Sequence, residues 1–375
     1  MTMSGRDVFV IADNVFSPLG KTTAENFSGL KQNRSAVKPY QYRSQAYCAS
    51  LFDIGEFPAS QTGYTKFEQL LIASIQNALG LSGLSALDEK TVLIISSTKG
   101  NIGLLETEPV TPALHERIGL STSAELVAEY FGFQHKPIVI SNACVSGVVA
   151  ILAGMRMLRS GQFEHAVIAG AELVSEFIVS GFQSFQALSP QQCRPFDKNR
   201  DGLNLGEGAA TIILSSDKKY EGAIKVLGGG ISNDANHISG PSRTGQELAN
   251  AIEVALKDAR FSAGDIDFIS AHGTATQYND EMEANAIALA GLESVPLNSL
   301  KGYYGHTLGA AGILESVISI QSLKGNFFFA TPGFEETGVT KPVNVSAGAF
   351  QIPAKNLLKT ASGFGGCNAA VVFGK

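Results

Sequence analysis

Residues 144–152 read CVSGVVAIL, and residues 306–314 read HTLGAAGIL. Each stretch follows a short apolar run and a loop, and each begins a segment rich in Gly, Ala and Ser. Both segments end near a Gly-polar-Phe step, at residues 161–163 and 325–327. Helices approach one another closely only where small side chains let their backbones meet. The repeat therefore predicts a duplicated chain in which Cys144 and His306 are equivalent and two small-residue helices pack together.

Short apolar runs alternate along the chain with longer stretches of helical periodicity, which is typical of an α/β fold with buried sheets. A duplicated unit of this kind would place two sheets around the two central helices. Residues 215–222 are polar and charged, and they suggest a division into halves 1–217 and 218–375. The predicted strands are 8–12, 91–96, 138–141, 165–169, 210–214, 224–231 and 267–271, and the predicted helices are 66–79, 123–131, 145–159, 245–259 and 280–289.

Composition and charge exclude several classes of function. The chain has 375 residues, of which 17% are charged, and its formal charge is −6 without a long run of Lys or Arg. Binding to nucleic acid or to an anionic membrane therefore has little electrostatic support. No stretch approaches 18 uninterrupted apolar residues, and the first 20 residues do not resemble a signal peptide. We expect a cytoplasmic protein whose four cysteines stay reduced.

Cys144 is the first candidate for a chemical role. It lies where a strand near Ser141 gives way to a helix, and the start of a helix carries unpaired N–H groups and a partial positive charge. Both features favour a thiolate, which is the nucleophilic form of cysteine. The alternative is a small buried thiol, which is also the simplest interpretation of Cys48, Cys193 and Cys367.

Two of the six histidines occupy similar settings. His272 comes directly after a predicted strand, and His306 lies in a loop that leads into a helix. Such loops collect catalytic groups on α/β scaffolds. One thiol and two imidazoles could bind zinc, but their wide spacing argues against a metal site. We interpret His115, His135 and His165 as surface residues and leave His237 open.

Three further features accompany these candidates. Lys301 is close enough in sequence to orient the site of His306, and Glu315 lies in a predicted buried helix where a carboxylate needs a partner such as Lys301. Residues 194–210, RPFDKNRDGLNLGEGAA, predict an ordered loop held by charged groups. Residues 361–370, ASGFGGCNAA, place Phe364 between glycines, as expected for a gate or an oxyanion donor.

Together these motifs resemble the β-ketoacyl-acyl carrier protein synthases, in particular the elongating branch with a Cys-His-His site. The resemblance rests on five segments in order, which cover most of the chain from residue 138 onwards: NACVSG, RPFDKNRDGLNLGEGAA, AHGTAT, LKGYYGHTLGAAG and GFGGCN. It implies the thiolase fold, a duplicated five-layer α-β-α-β-α sandwich. It also implies a dimer, acyl carrier protein as partner, and no cofactor, since the substrates are carried on phosphopantetheine.

The resemblance also assigns roles to individual residues. Cys144 would hold the acyl chain as a thioester, with the N–H groups of Cys144 and Phe364 as the oxyanion hole. His272 and His306 would stabilise the enolate formed when malonyl-acyl carrier protein loses CO₂. Further contacts and supporting roles fall to Lys301 (support of the histidines), Thr274 and Thr276 (pantetheine), Phe364 (gate), and Glu315 and Asp280 (structure).

Departures from the family pattern concern the substrate more than the chemistry. The segment between the strand at 91–96 and Cys144 is shorter than is usual, Ser362 replaces a common aromatic, and Cys367 replaces a common threonine. These differences favour a specialised pathway, such as aryl-polyene or flexirubin-type pigment synthesis or another polyketide-type pathway, over the alternative of housekeeping fatty-acid synthesis. Two alternatives are a non-elongating partner subunit resembling a chain-length factor, which usually lacks the cysteine, and a thiolase with Cys367 as its second cysteine. The partner in the dimer could be a second copy or a related ketosynthase or chain-length-factor subunit.

Overall fold

A ten-stranded mixed sheet runs through the part of the protein that the computed structural model describes, residues 6–43, 45–53, 55, 57, 62–236 and 240–375. The strands are β1 (Phe9–Phe16), β2 (Lys38–Tyr42), β3 (Gln45–Ser50), β4 (Thr91–Ser96), β5 (Ile138–Ile140), β6 (His165–Glu172), β7 (Leu205–Gly206), β8 (Gly208–Ser215), β9 (Lys225–Asn233), β10 (Phe268–Ser270), β11 (Leu297–Asn298), β12 (Phe327–Phe328), β13 (Phe350–Gln351), β14 (Asn356–Gly363) and β15 (Cys367–Gly374). The helices are α1 (Thr23–Lys31), α2 (Lys66–Ser82), α3 (Pro112–Arg117), α4 (Leu120–Phe131), α5 (Ser146–Ser160), α6 (Glu176–Ser184), α7 (Gln246–Ala259), α8 (Gln277–Leu289), α9 (Lys301–Tyr304) and α10 (Leu308–Gly325).

The order of the strands repeats itself. One half of the sheet runs β5-β4-β6-β8-β1, and the other half runs β11-β10-β14-β15-β9. In each half the first three strands are parallel and the last two pairings are antiparallel. The halves meet at one antiparallel pair of residues, Phe9 and Lys225. The second half therefore has the topology of the first, as the sequence repeat predicts.

Helices α5 and α10 form the layer between the two half-sheets. They pack against one another, and each contacts strands of both halves. Helices α2 and α4 cover the outer face of the first half, and α7 and α8 pack together on the second half. The result is a five-layer α-β-α-β-α arrangement, which confirms the predicted fold class.

Small residues set the distance between the two central helices. A Cβ atom on Gly312 of α10 would lie 2.4 Å from the backbone nitrogen of Val148 in α5. A Cβ atom on Gly147 would lie 2.7 Å from the backbone nitrogen of Ile313. No side chain can occupy these positions without moving backbone, so glycine at both lets the helices cross in direct contact.

Each predicted strand and helix corresponds to an observed element, with ends that differ by up to four residues. The antiparallel pair β14 and β15, around residues 361–370, is missing from the prediction. Within the described residues, 143–160 pass a length and composition test for a membrane span, yet most of this stretch is buried inside the protein as α5. The assignment of halves 1–217 and 218–375 stays a prediction.

Candidate active site

Cys144 lies at a tight turn between β5 and α5. The preceding residue, Ala143, adopts a positive φ of 45°, a conformation that is costly for a residue with a side chain. Helix α5 begins two residues after the cysteine, at Ser146. The Cys144 side chain is buried, and it lines a cavity of about 410 Å³.

The helix crossing brings Cys144 and His306 to the same cavity. His306 precedes α10 as Cys144 precedes α5, and both residues line the cavity. The backbone of His306 is fixed by two hydrogen bonds, from its N–H to Asn204 O (2.7 Å) and from Gly206 N–H to His306 O (3.1 Å). Its position is therefore set by the close approach of the two helices and by the loop before β7.

The two candidate histidines are neighbours. The ring centroids of His272 and His306 are 5.2 Å apart, and the ring planes are inclined at 80°. His272 follows β10 directly and also lines the cavity. The structure thus brings Cys144, His272 and His306 together, although they are spread over more than 160 residues of sequence.

Lys301 forms hydrogen bonds with both His272 and Glu315. Its Nζ donates to the carbonyl oxygen of His272 (2.5 Å) and to Glu315 Oε1 (2.7 Å), and it lies 3.5 Å from His272 Nδ1. Because an ammonium group can only donate, Nδ1 must be the acceptor in this contact. The ring proton of neutral His272 is then on Nε2, where it is available as a donor.

A second buried lysine shares the same carboxylate, and the sequence analysis did not identify it. Lys359 Nζ lies 2.6 Å from Glu315 Oε2, so Glu315 is held between two lysines. Burial would raise the pKa of Glu315, but Lys301 and Lys359 outweigh it and hold that pKa below its usual value. Burial lowers the pKa of Lys359, with the charge of Glu315 opposing the shift.

Two carboxylates of α8 hold the loop that carries His272. Glu283 accepts hydrogen bonds from the N–H groups of His272 (2.8 Å) and Gly273 (2.7 Å). Asp280, for which a structural role was predicted, accepts from the N–H groups of Thr274 (2.9 Å) and Phe196 (2.7 Å). Burial raises the pKa of Asp280 to about 6. Glu283 was not among the predicted residues.

Glu172 is a further buried carboxylate that binds backbone near the site. This buried carboxylate at the end of β6 accepts from the N–H of Gly309 in the first turn of α10 (2.8 Å). It also accepts from the hydroxyl of Ser97 (2.6 Å) and from the backbone of Thr98 and Lys99. Glu172 therefore ties the segment after β4 to the helix that His306 precedes.

Burial dominates the protonation of the three central groups. Burial, followed by the charge of Lys301, lowers the pKa of His272 and of His306 well below the usual histidine value. Both imidazoles are therefore neutral near pH 7. Burial raises the pKa of the Cys144 thiol to about 12, against the effects of Lys301, Lys99 and the Phe364 backbone. The position of Cys144 at the start of a helix therefore does not lower its pKa enough to form a thiolate near pH 7. The thiol must lose its proton to a base when it reacts.

Phe364 lies at the turn between β14 and β15, beside the nucleophile. Its backbone is hydrogen-bonded to the Cys144 thiol. A Cβ atom on Gly363 would lie 3.0 Å from the nitrogen of Cys144, so the two backbones are in contact. The Phe364 ring stacks on Phe182 and meets the edge of Phe185 at the cavity mouth. The two roles expected of Phe364, gate and oxyanion donor, stay predictions.

The remaining predicted contacts also border the cavity. Thr274 and Thr276 line it, and their hydroxyl oxygens are 2.8 Å apart. The loop 194–210 is ordered mainly by hydrogen bonds to backbone, for example from Glu335 and Glu336 N–H to Asp197. Among the described residues, the salt bridge that this loop forms is the exposed pair Lys198–Glu336, and the charge of Arg194 acts on Asp197 without a direct contact.

One of the three histidines predicted to lie on the surface is buried. His135 and His115 are exposed, but the prediction for His165 is wrong, because it begins β6 and is 4% exposed. Burial lowers the pKa of His165. His237 lies outside the described residues. Within the described residues, no group of three or more His, Cys, Asp or Glu side chains is arranged to hold a metal ion.

Comparison with solved structures defines the class of protein. A beta-ketoacyl synthase from Burkholderia phymatum superposes with a TM-score of 0.90 at 28% identity and covers 99% of both chains. The ishigamide ketosynthase/chain length factor gives a TM-score of 0.89 at 28% identity over 99% of this chain and 100% of that one. The fold is thus that of the thiolase-fold ketosynthases.

Sequence comparison identifies the family. Residues 5–219 match the N-terminal domain of beta-ketoacyl synthases, and residues 224–335 match the C-terminal domain. The chain is 30% identical to 3-oxoacyl-acyl-carrier-protein synthase 2 of Vibrio cholerae over 411 aligned positions, which cover 99% of both. The chain belongs to the beta-ketoacyl synthase family, and it is an acyltransferase of the ketosynthase type.

Proposed function

We propose that this ketosynthase joins an acyl group held on Cys144 to malonyl-acyl carrier protein, with loss of CO₂, to give 3-oxoacyl-acyl carrier protein. In the first step the Cys144 sulfur attacks the thioester carbonyl of an acyl chain on phosphopantetheine. The thiol proton passes to the departing pantetheine sulfur, with a neutral imidazole as relay. The N–H groups of Cys144 and Phe364 stabilise the negative charge on the carbonyl oxygen during this transfer.

In the second step malonyl thioester takes the place of the released carrier. His272 and His306 donate N–H hydrogen bonds to its thioester oxygen, and the C–C bond to the carboxylate breaks to give CO₂ and an enolate. The enolate carbon attacks the acyl-Cys144 carbonyl, the sulfur of Cys144 leaves as a thiolate, and it takes up a proton from solvent. Neutral imidazoles suit this step because their N–H groups donate hydrogen bonds to the developing negative charge. Unlike an imidazolium, a neutral imidazole does not readily transfer a proton to the enolate.

The observation that carries the proposal is the meeting of Cys144, His272 and His306 in one cavity, with Lys301 fixing the tautomer of His272. Thr274 and Thr276 line the same cavity, and we propose that they contact the pantetheine arm. Each step uses only side chains and backbone of this chain. We therefore propose that no cofactor takes part beyond the phosphopantetheine of the carrier.

Partner and pathway are a further part of the proposal. The ishigamide ketosynthase/chain length factor is a structural match over 99% of this chain, and it supports the proposal that this chain forms a dimer, with a second copy or with a related ketosynthase or chain-length-factor subunit. We also propose a cytoplasmic location and a specialised pathway such as pigment or polyketide synthesis, with fatty-acid synthesis as the alternative. The alternative, that this chain is itself the non-elongating subunit, is disfavoured by the presence of Cys144 and both histidines.

The two steps can be tested separately on the histidine variants. Purified protein is incubated with hexanoyl-pantetheine and malonyl-pantetheine, and mass spectrometry follows the hexanoyl mass on Cys144 and the release of CO₂. We expect His272→Ala to abolish decarboxylation while some self-acylation remains, and the same for His306→Ala. His115→Ala, an exposed histidine outside the cavity, is the control. Full decarboxylation by both variants would contradict the assigned roles.

A further inference from the structure

Two exposed aromatic side chains border the active-site cavity. Phe185 is 54% exposed and Tyr278 is 73% exposed, and both line the cavity. The Phe185 ring meets the ring of Phe364 edge-on, with the two centroids 5.4 Å apart. The two steps of the proposed reaction use neither side chain. Exposed aromatic groups at the entrance of a cavity are typical of a surface that binds a partner protein.

Backbone hydrogen bonds join the segments that carry these two side chains. Leu203 N–H donates to the carbonyl oxygen of Ala187 (2.8 Å), just after the first aromatic. Gly202 N–H donates to the carbonyl oxygen of Ala275 (3.1 Å), just before the second. The three neighbouring segments form one continuous surface, the aromatic rim: residues 185–187, 201–203 and 275–278.

The aromatic rim is held in a fixed shape. Gln186 and Ala275 adopt positive φ angles of 53° and 63°, conformations that persist in residues with side chains only where the surrounding structure imposes them. A Cβ atom on Gly202 would lie 2.6 Å from the carbonyl oxygen of Ala187, so these two backbones are in direct contact. A surface that is already ordered loses little conformational entropy when it binds a partner.

The charged side chains that line the cavity are acidic. They are Asp201, Asp234 and Glu247, and no lysine or arginine is among the lining residues that the structure describes. Asp234 accepts hydrogen bonds from the N–H groups of Asn236 and Ser242. Asp201 is exposed on the aromatic rim, and within the described part of the chain it forms no salt bridge. A partner that presents carboxylates to this rim would therefore be repelled.

The basic side chains next to the rim in sequence have other partners. Arg200 is buried and donates to the carbonyl oxygen of Gly338 (2.7 Å). Lys198 pairs with Glu336. Arg243 is exposed and follows a residue of the cavity lining. Docking through ion pairs with an acidic partner would therefore depend on Arg243.

We propose that the aromatic rim is the docking surface for the carrier protein, and that it favours a carrier with apolar side chains, rather than carboxylates, around its phosphopantetheine-bearing serine. The inference rests on the proposed function. The pantetheine arm is attached to the carrier and must reach Cys144 through the cavity, so the carrier surface around the arm lies against the rim. Phe185 and Tyr278 bury apolar area against it, whereas Asp201 repels an acidic carrier.

The first test compares carrier-bound with free substrate. KM and kcat are measured for malonyl-acyl carrier protein and for malonyl-pantetheine, with the hexanoyl enzyme as acceptor. We expect Tyr278→Ala to raise KM for the carrier substrate about tenfold, as for an aromatic at the centre of an interface, and KM for malonyl-pantetheine by less than about twofold. Leu81→Ala is the control, because Leu81 is 74% exposed and lies outside the cavity lining, and it should match the wild type.

The second test changes the charge of the carrier. An acidic acyl carrier protein is compared with a variant of it in which the carboxylates beside the phosphopantetheine serine are changed to amides. We expect the amide variant to have the lower KM, and we expect KM for the acidic carrier to fall as added salt screens the repulsion. Asp201→Asn should lower KM for the acidic carrier and leave KM for the amide variant unchanged.

Three results would overturn the inference. The first is an unchanged KM for the carrier substrate in Tyr278→Ala, and the second is an equal rise in KM for both substrates, which would place the side chain in the pantetheine channel alone. The third is docking by ion pairs, seen as a higher KM for the amide carrier or as a rise of about tenfold in Arg243→Ala.

The proposed function fails in a different way. A wild-type protein that releases no CO₂ from malonyl-pantetheine would contradict it, because this substrate needs no docking. The affinity of wild type and Tyr278→Ala for the phosphopantetheine-bearing carrier, measured by calorimetry, would still test the aromatic rim. A protein that condenses normally with malonyl-pantetheine and shows the same carrier KM in Tyr278→Ala would contradict only the docking surface.

Discussion

Gly312→Ala should disturb the helix crossing that brings Cys144 and His306 to one cavity. The added Cβ would lie 2.4 Å from Val148 N and 2.9 Å from the carbonyl carbon of Gly147. An ordinary contact is about 1 Å longer, and both neighbours are backbone atoms that no rotamer change can move. The helices must therefore separate by roughly 1 Å, which alters the relative positions of the two residues.

The magnitude follows from two opposing effects. Overpacking of a core costs about 1–3 kcal/mol, and a backbone clash belongs at the upper end, about 3 kcal/mol. Alanine is a better helix former than glycine by about 1 kcal/mol. The net loss in free energy of unfolding is then about 2 kcal/mol, or about 2–3 °C in melting temperature for a chain of this length. A displacement of about 1 Å at the site lowers the condensation rate by about 100-fold.

The assay compares calorimetric melting and the condensation rate of Gly312→Ala with those of Gly80→Ala. Gly80 lies in α2, and a Cβ atom there would meet nothing within 4 Å. We expect Gly80→Ala to be at least as stable as the wild type and equally active. A Gly312→Ala protein that melts no lower than the wild type and condenses at the same rate would refute the role of the crossing.

Three other perturbations have directions fixed by the structure. Glu315→Gln leaves two buried lysines without their shared carboxylate, so the free energy of unfolding, measured by thermal denaturation, should fall by about 3–5 kcal/mol. The control is Glu336→Gln, in the exposed pair with Lys198, which should lower it by less than about 1 kcal/mol. Alkylation of Cys144 by iodoacetamide should accelerate about tenfold per pH unit from pH 7 to 9, because its pKa is raised far above that range, and a plateau near pH 7 would contradict this. Phe364→Ala keeps the backbone donor but removes the ring at the cavity mouth, so hydrolysis of the hexanoyl enzyme, followed by mass spectrometry, should quicken; an unchanged half-life would argue against a gate.

Much of the fold follows from local features of the sequence. The repeat around Cys144 and His306 predicts two equivalent helices because only small residues allow a close crossing, and the structure contains that crossing at Gly147 and Gly312. Strands such as β4 are short continuous apolar runs, and helices such as α2 have clear ends. Helix α2 begins with a capping box at Thr65 and ends at a left-handed Gly83.

The features that could not be predicted from the sequence depend on contacts between residues that are far apart in the chain. Lys359 reads as an ordinary lysine, and its partner Glu315 lies 44 positions earlier, so neither its burial nor its pairing has a local signal. His165 reads as exposed because Glu164 precedes it, yet β6 continues into the core from that residue. The strand pair β14 and β15 was not predicted, because the glycines of the turn between the two strands suggested a loop.

The most direct test of the account is the site of acylation. Wild-type protein, Cys144→Ala and Cys193→Ala are incubated with hexanoyl-pantetheine, digested and sequenced by mass spectrometry. Cys193 is the control because it is a buried thiol outside the lining of the cavity. We predict a hexanoyl thioester on Cys144 in the wild type and in Cys193→Ala, and none in Cys144→Ala. Acylation that survives Cys144→Ala, or that is located on another residue in the wild type, would contradict the central claim.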